Sequence, residues 1–212
     1  MTPADQSRQA LEICRRAAVV PVLVIEDLAH ARPLAEALVA GGLPALEVTL
    51  RTPVALDAIR IMAEVEGGIV GAGTLLTPAD VAAARAAGAR FGVSPGASDR
   101  LLDACEAEGL PLLPGAATAT EVMALLERGY TMQKFFPAET SGGAPAVKAL
   151  GGPLPQVTFC PTGGIGLGNA ATYLGLANVV CVGGSWVAPK AMMEAGDWAG
   201  ITRLAQEAAA LR

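Results

Sequence analysis

The chain has 212 residues, 52% of them hydrophobic and 17% charged, with a formal net charge of −5; that length supports one substantial core rather than two. The acidic balance and the lack of a basic run exclude a protein built to grip phosphate backbones, which draws on clustered Lys and Arg. Mean hydropathy is high at +0.46, yet 25 Gly and 15 Pro interrupt every apolar stretch before the ~18 residues that a membrane span requires.

Residues 1–18 carry Asp5, Arg8, Glu12, Arg15 and Arg16, a pattern that predicts an amphipathic helix rather than a secretory leader. The cytoplasm is therefore the expected compartment. Eight apolar runs follow, at residues 19–25, 45–50, 69–74, 91–95, 111–115, 132–137, 157–162 and 179–183, and each reads as a strand. Helix signals lie between them. Thr52-Pro53 precedes 54–66, Thr77-Pro78-Ala79-Asp80 precedes 81–87, and Thr118 to Glu121 forms a capping box before 122–128. Gly41, Gly88, Gly109 and Gly129 stand where helices should end. Strands that are apolar throughout and separated by helices imply a parallel sheet covered on its outer face, and starts recurring every ~20 to 26 residues match one strand–helix unit. The expected fold is α/β, a (β/α)8 TIM barrel in one domain spanning 1–212, with residues 1–18 as an additional N-terminal helix closing its base. A doubly wound open sheet is the alternative, but no G-x-G-x-x-G turn follows the first strand.

Cys14, Cys105, Cys160 and Cys181 are scattered without a C-x-x-C pair and read as buried, reduced thiols. His30 is the one histidine, which excludes a zinc site built on several imidazoles; serine–histidine catalysis would rest on His30 alone. Its plain reading is a helix surface residue. Magnesium held by carboxylates is not excluded on this ground.

In a barrel the chemistry belongs at the C-terminal ends of the strands. Lys134 lies inside Met132-Gln133-Lys134-Phe135-Phe136-Pro137, where apolar neighbours should desolvate its amine and favour the neutral, nucleophilic form. The competing reading is a lysine whose stem crosses the core and whose head reaches water or an acid. On the second strand, period two puts Glu47, Thr49 and Arg51 on one face. A carboxylate there can shuttle protons and a guanidinium can hold a substrate carboxylate, or the two can simply pair with each other. Phe136 shares the face of Lys134 and can wall the amine or merely fill core. Thr74 closes the third strand in Gly71-Ala72-Gly73-Thr74, where small residues leave room for a ligand or, Thr74 apart, are plain turn residues.

Between Lys148 and Lys190 there is no Asp, Glu, Lys or Arg, so an anion bound there must be held by backbone. Gly163-Gly164 follows the seventh strand and Gly183-Gly184-Ser185 the eighth, the two loops where barrels commonly seat a phosphate. Plain turns explain each pair singly.

Taken together, Val-Pro-Val (20–22), Glu-Val-Thr-Leu-Arg-Thr (47–52), Val-Gly-Ala-Gly-Thr (70–74), Ser-Pro-Gly (94–96), Lys-Phe-Phe-Pro-Ala-Glu (134–139), Phe-Cys-Pro-Thr-Gly-Gly-Ile (159–165) and Gly-Gly-Ser-Trp (183–186) resemble the 2-keto-3-deoxy-6-phosphogluconate (KDPG) aldolases. The resemblance implies a class I aldolase of the Entner-Doudoroff pathway, needing no metal or other cofactor and assembling as a homotrimer. It implies that Lys134 forms a Schiff base and that Glu47 is the acid/base. Arg51, Thr74 and Thr162 would then meet the pyruvate portion, and Gly163, Gly164, Gly184 and Ser185 the phosphate. The expected partners are a phosphorylated keto acid, pyruvate and glyceraldehyde 3-phosphate, with neither nucleic acid nor membrane among them. An isomerase or epimerase on the same barrel, or a sugar-phosphate-binding module without catalysis, are the rival expectations.

Overall fold

In the computed structural model, which describes residues 1–211, the apolar runs become β1 (Val19–Leu23), β2 (Ala45–Thr49), β3 (Ile69–Gly73), β4 (Phe91–Val93), β5 (Leu112–Leu113), β6 (Gly115–Ala116), β7 (Met132–Phe135), β8 (Thr158–Pro161) and β9 (Val182–Gly184). The fifth run, expected as one strand, divides into β5 and β6 at Pro114, which has no N–H to give the ladder. Its carbonyl still accepts a bond from the Lys134 N–H at 2.8 Å. The last run begins later than expected: Val179 makes an isolated bridge to Phe159, and the ladder proper starts at Val182.

Every strand pairing among the described residues is parallel. One six-stranded sheet runs β5-β4-β3-β2-β1-β9 and curves as a half-barrel, and a three-stranded sheet runs β6-β7-β8. A bridge between Thr162 and Gly183 joins the end of β8 to β9. Between the strands lie α2 (Ala31–Ala40), α3 (Ala55–Ala63), α4 (Pro78–Ala86), α5 (Asp99–Glu108), α6 (Ala119–Arg128), α7 (Gly143–Gly151) and α8 (Leu167–Leu174); α9 (Lys190–Glu194) and α10 (Trp198–Ala209) follow β9. Two of the three expected helix starts hold; α3 instead begins behind Val54 with no side-chain cap, and the Thr52 hydroxyl donates to the Ile25 carbonyl at 2.6 Å. Thr77 and Thr118 accept bonds from the N–H groups of Asp80 and Glu121, and those carboxylates accept from the threonine N–H groups in return.

The strands alternate between two cores, as period two demands. Val19, Leu46, Val48 and Phe159 face outward into the larger core beneath the helices, while Val20, Ala45, Phe91, Val93, Met132 and Cys160 face inward. Helix α1 (Pro3–Cys14) adds Ala10 and Cys14 to the inner set. Its Ser7 hydroxyl oxygen accepts bonds from the N–H groups of Thr131 (2.9 Å) and Met132 (2.8 Å) at the entry to β7. All four cysteines are free and buried, as expected. His30 closes a 3-10 turn (Leu28–His30) with its ring edge-on to Trp198 at 5.7 Å. Among the described residues no helix is long and apolar enough to cross a membrane, and no group of three or more His, Cys, Asp or Glu is arranged to hold a metal ion.

Candidate active site

Strand β7 points Lys134 inward from between its register partners Gly115 and Cys160. From the facing strand β2, Glu47 points toward it. The amine Nζ stands 3.5 Å from Glu47 Oε1, with the two residues only 5% and 3% exposed. Nζ also lies over the ring of Phe136, 5.1 Å from its centroid. Burial pushes the Glu47 pKa up, because an ionised carboxylate loses its hydration there; the nearby Lys134 charge pulls the other way and is outweighed. The carboxyl is therefore able to give up and take back a proton closer to neutrality than an exposed glutamate.

Arg51 and Thr74 meet at the ends of β2 and β3. The guanidinium Nε donates to Thr74 Oγ1 at 3.2 Å. Thr74 has φ +62°, a left-handed conformation that a β-branched residue adopts at a cost of ~1–3 kcal/mol. Among the described residues it is the one non-glycine so placed, and the conformation holds its hydroxyl against Arg51. Glu47 pairs with Lys134 rather than with Arg51, so the simple pairing along one strand is not what forms. Thr49, on the same face, spends its hydroxyl on the carbonyl of Leu23 at 2.9 Å.

Thr162 is buried, with its hydroxyl 3.4 Å from the Cys160 carbonyl. Gly163 and Gly164 follow at φ +104° and +76°, consecutive left-handed positions open in practice only to glycine. Gly184 pairs with Pro21 in the β9–β1 ladder, and Ser185 follows it. A cavity of about 640 Å³ opens beside Ser185, with Val22, His30, Trp186, Lys190 and Met193 among its walls. It adjoins the second Gly-rich loop and does not contain Lys134 or Glu47.

The structure thus brings Lys134, Glu47 and Phe136 into contact, and Arg51 onto Thr74. The glycine loops lie at the ends of β8 and β9. Sequence reasoning missed Gly73. In the sequence it reads as a turn residue or as room for a ligand, whereas the space is taken by Glu47: a Cβ at Gly73 would lie 2.3 Å from Glu47 Oε1. The available signal was the pair Gly71 and Gly73 on one face of a strand, a pattern that marks close approach from a neighbour.

A buried lysine paired with a buried glutamate inside a parallel α/β half-barrel defines an amine suited to condensation with a ketone, the class of Schiff-base carbonyl enzymes. The model of an aldolase family, KDPG and KHG aldolase, matches residues 11–204, and the chain belongs to that family. It is 55% identical over 193 residues to a 2-dehydro-3-deoxy-phosphogluconate aldolase of Pseudoalteromonas atlantica, covering 91% of this chain and 90% of the relative. The crystal structure of the Zymomonas mobilis KDPG aldolase with 3-phosphoglycerate superimposes with a TM-score of 0.92 at 51% identity, over 97% of each chain. The Legionella pneumophila KDPG aldolase, with pyruvate captured as a covalent carbinolamine, gives 0.91 at 46% identity, over 94% of this chain and 97% of that one.

Proposed function

We propose that this chain is a class I aldolase that cleaves 2-keto-3-deoxy-6-phosphogluconate to pyruvate and glyceraldehyde 3-phosphate. The observation that carries the reading is the Lys134–Glu47 pair, 3.5 Å apart and almost fully buried, in a family of KDPG and KHG aldolases. An isomerase or epimerase working by proton transfer alone does not need a nucleophilic amine there. The family also supports 4-hydroxy-2-oxoglutarate as a second substrate.

In this mechanism the Lys134 amine, once it has given up its proton, attacks C2 of the keto acid, and Glu47 moves protons as the carbinolamine loses water to give an iminium. The iminium draws electrons from the C3–C4 bond while the C4 hydroxyl yields its proton toward Glu47, directly or through water. The aldehyde leaves, and the remaining enamine is protonated at C3. Water then hydrolyses the iminium to pyruvate and frees the amine. Arg51, steadied by Thr74, would hold the keto-acid carboxylate, with Phe136 and Thr162 as walls. Gly163, Gly164, Gly184 and Ser185 would take the phosphate, so the scissile bond is held between two anchors.

The finer architecture belongs to the same proposal. Pairing that runs from β1 to β5, resumes through Pro114 at β6 and returns from β8 to β9 and β1 supports one closed (β/α)8 barrel in a single domain, with α1 as an additional helix across its base. Four free cysteines fit the reducing cytoplasm. The homotrimer implied by the resemblance is measured directly by sedimentation.

Borohydride added with pyruvate should leave one reduced adduct, and peptide mass spectrometry should locate it at Lys134. An adduct at Lys148 or Lys190, or none at all, overturns the assignment.

A further inference from the structure

We infer that Gly73 is a positioning residue that sets where the Glu47 carboxylate stands relative to Lys134. Strands β2 and β3 run in register, with Glu47 opposite Gly71 and Thr49 opposite Gly73. A Cβ on Gly73 would come within 2.3 Å of Glu47 Oε1, 2.6 Å of its Cγ and 2.8 Å of its Cδ. Non-bonded atoms essentially never approach a Cβ this closely, so the carboxylate and a methyl group cannot share the space. Oε1 is the same oxygen that faces the Lys134 amine at 3.5 Å. The backbone does not ask for glycine here: Gly73 is not among the residues with positive φ. The carboxylate does. Glu47 is 3% exposed, and a methyl group at position 73 would drive its oxygen out of its present place opposite the amine.

Gly71 provides the contrast on the same strand. A Cβ there would strike the ring of Phe91 at 2.5 Å, a side chain of the inner core, so its clearance is taken by that ring.

The inference rests on Glu47 being the acid/base, and the test separates the two. Gly73→Ala and Gly71→Ala are each introduced into the wild type and into Glu47→Ala, and melting temperatures are compared. Gly73→Ala should lower the melting temperature of the wild type and leave that of Glu47→Ala nearly unchanged, whereas Gly71→Ala should cost the same in both backgrounds. Failure of Gly73→Ala to fold in the wild type but not in Glu47→Ala supports the inference; equal loss, or failure to fold in both, overturns it. In turnover, Gly73→Ala should cost at least roughly tenfold more in the wild type than in Glu47→Asp, whose shorter side chain leaves the methyl room. Independent, multiplying costs would also sink it. Were Glu47→Gln to keep full turnover, the acid/base reading would fail while the melting comparison still decided the clearance.

Discussion

Two ion-pair regions of this molecule use the same chemistry to opposite ends. On one flank, Arg128 at the end of α6 donates to Glu106 (2.8 Å), to Asp99 (3.3 Å) and to Asp103. Its side chain is 23% exposed, and two of its three partners are well over half exposed. There the hydrogen bond to Glu106 is the leading influence, and it pushes the guanidinium pKa further up, so the charge is fixed. Inside the strands, Lys134 and Glu47 are 6% and 3% exposed at the side chain. Burial is the leading influence there, and it makes the carboxylate easier to protonate. Water, not pairing, separates the two: an exposed network holds helices together, and a dry pair becomes able to exchange protons.

The comparison is tested most severely by Lys134→Ala. Turnover should fall by roughly 10⁴-fold or more, because the nucleophile has no substitute, and borohydride trapping should vanish; retained trapping would move the chemistry elsewhere. Glu47→Gln should slow turnover by roughly 10²-fold while some Schiff base still forms. The same variant sharpens the pH argument. Glu47 acts as a base only when ionised, and burial raises its pKa, so wild-type activity should decline with falling pH starting above the ordinary glutamate value of about 4.3. That limb should be missing from the glutamine variant, and an unchanged acid limb would assign it to another group. A smaller effect is expected of Arg51→Lys, which keeps the charge but loses the flat two-pronged donor. KM for the keto acid should rise by about tenfold with kcat changed less, a split read from steady-state kinetics.

Arg128→Ala should do least to catalysis. Its loss should cost about 1 kcal/mol in denaturant unfolding, as expected of a largely exposed network, and kcat should stay within about twofold of wild type. A catalytic loss as large as that of Glu47→Gln would erase the distinction between the two regions.

Much of this was legible in the linear order of residues. Apolar runs bounded by glycine and proline marked the strands, and Thr77 and Thr118 marked helix starts, because ladders and caps depend on neighbours a few positions apart. Lys134 stood out as a charge inside an apolar strand, and Glu47 and Arg51 as residues sharing one face. The break at Pro114 was written in the sequence too, since proline's missing N–H is local, although the run around it reads as one strand.

What the sequence by itself determined was which groups are available: one lysine set in an apolar strand, one histidine too few for most rival chemistries, and glycine where anions would need bare backbone. That follows from composition and from periods of two and 3.6, which need no partner strand. Only the tertiary structure decided that Glu47 faces Lys134 rather than Arg51, that Thr74 takes a left-handed turn, and that Gly73 yields its space to a carboxylate. Those outcomes depend on residues as far apart as positions 47 and 134 being folded to within a few ångströms, and a distance of that kind is set by the packing of whole strands.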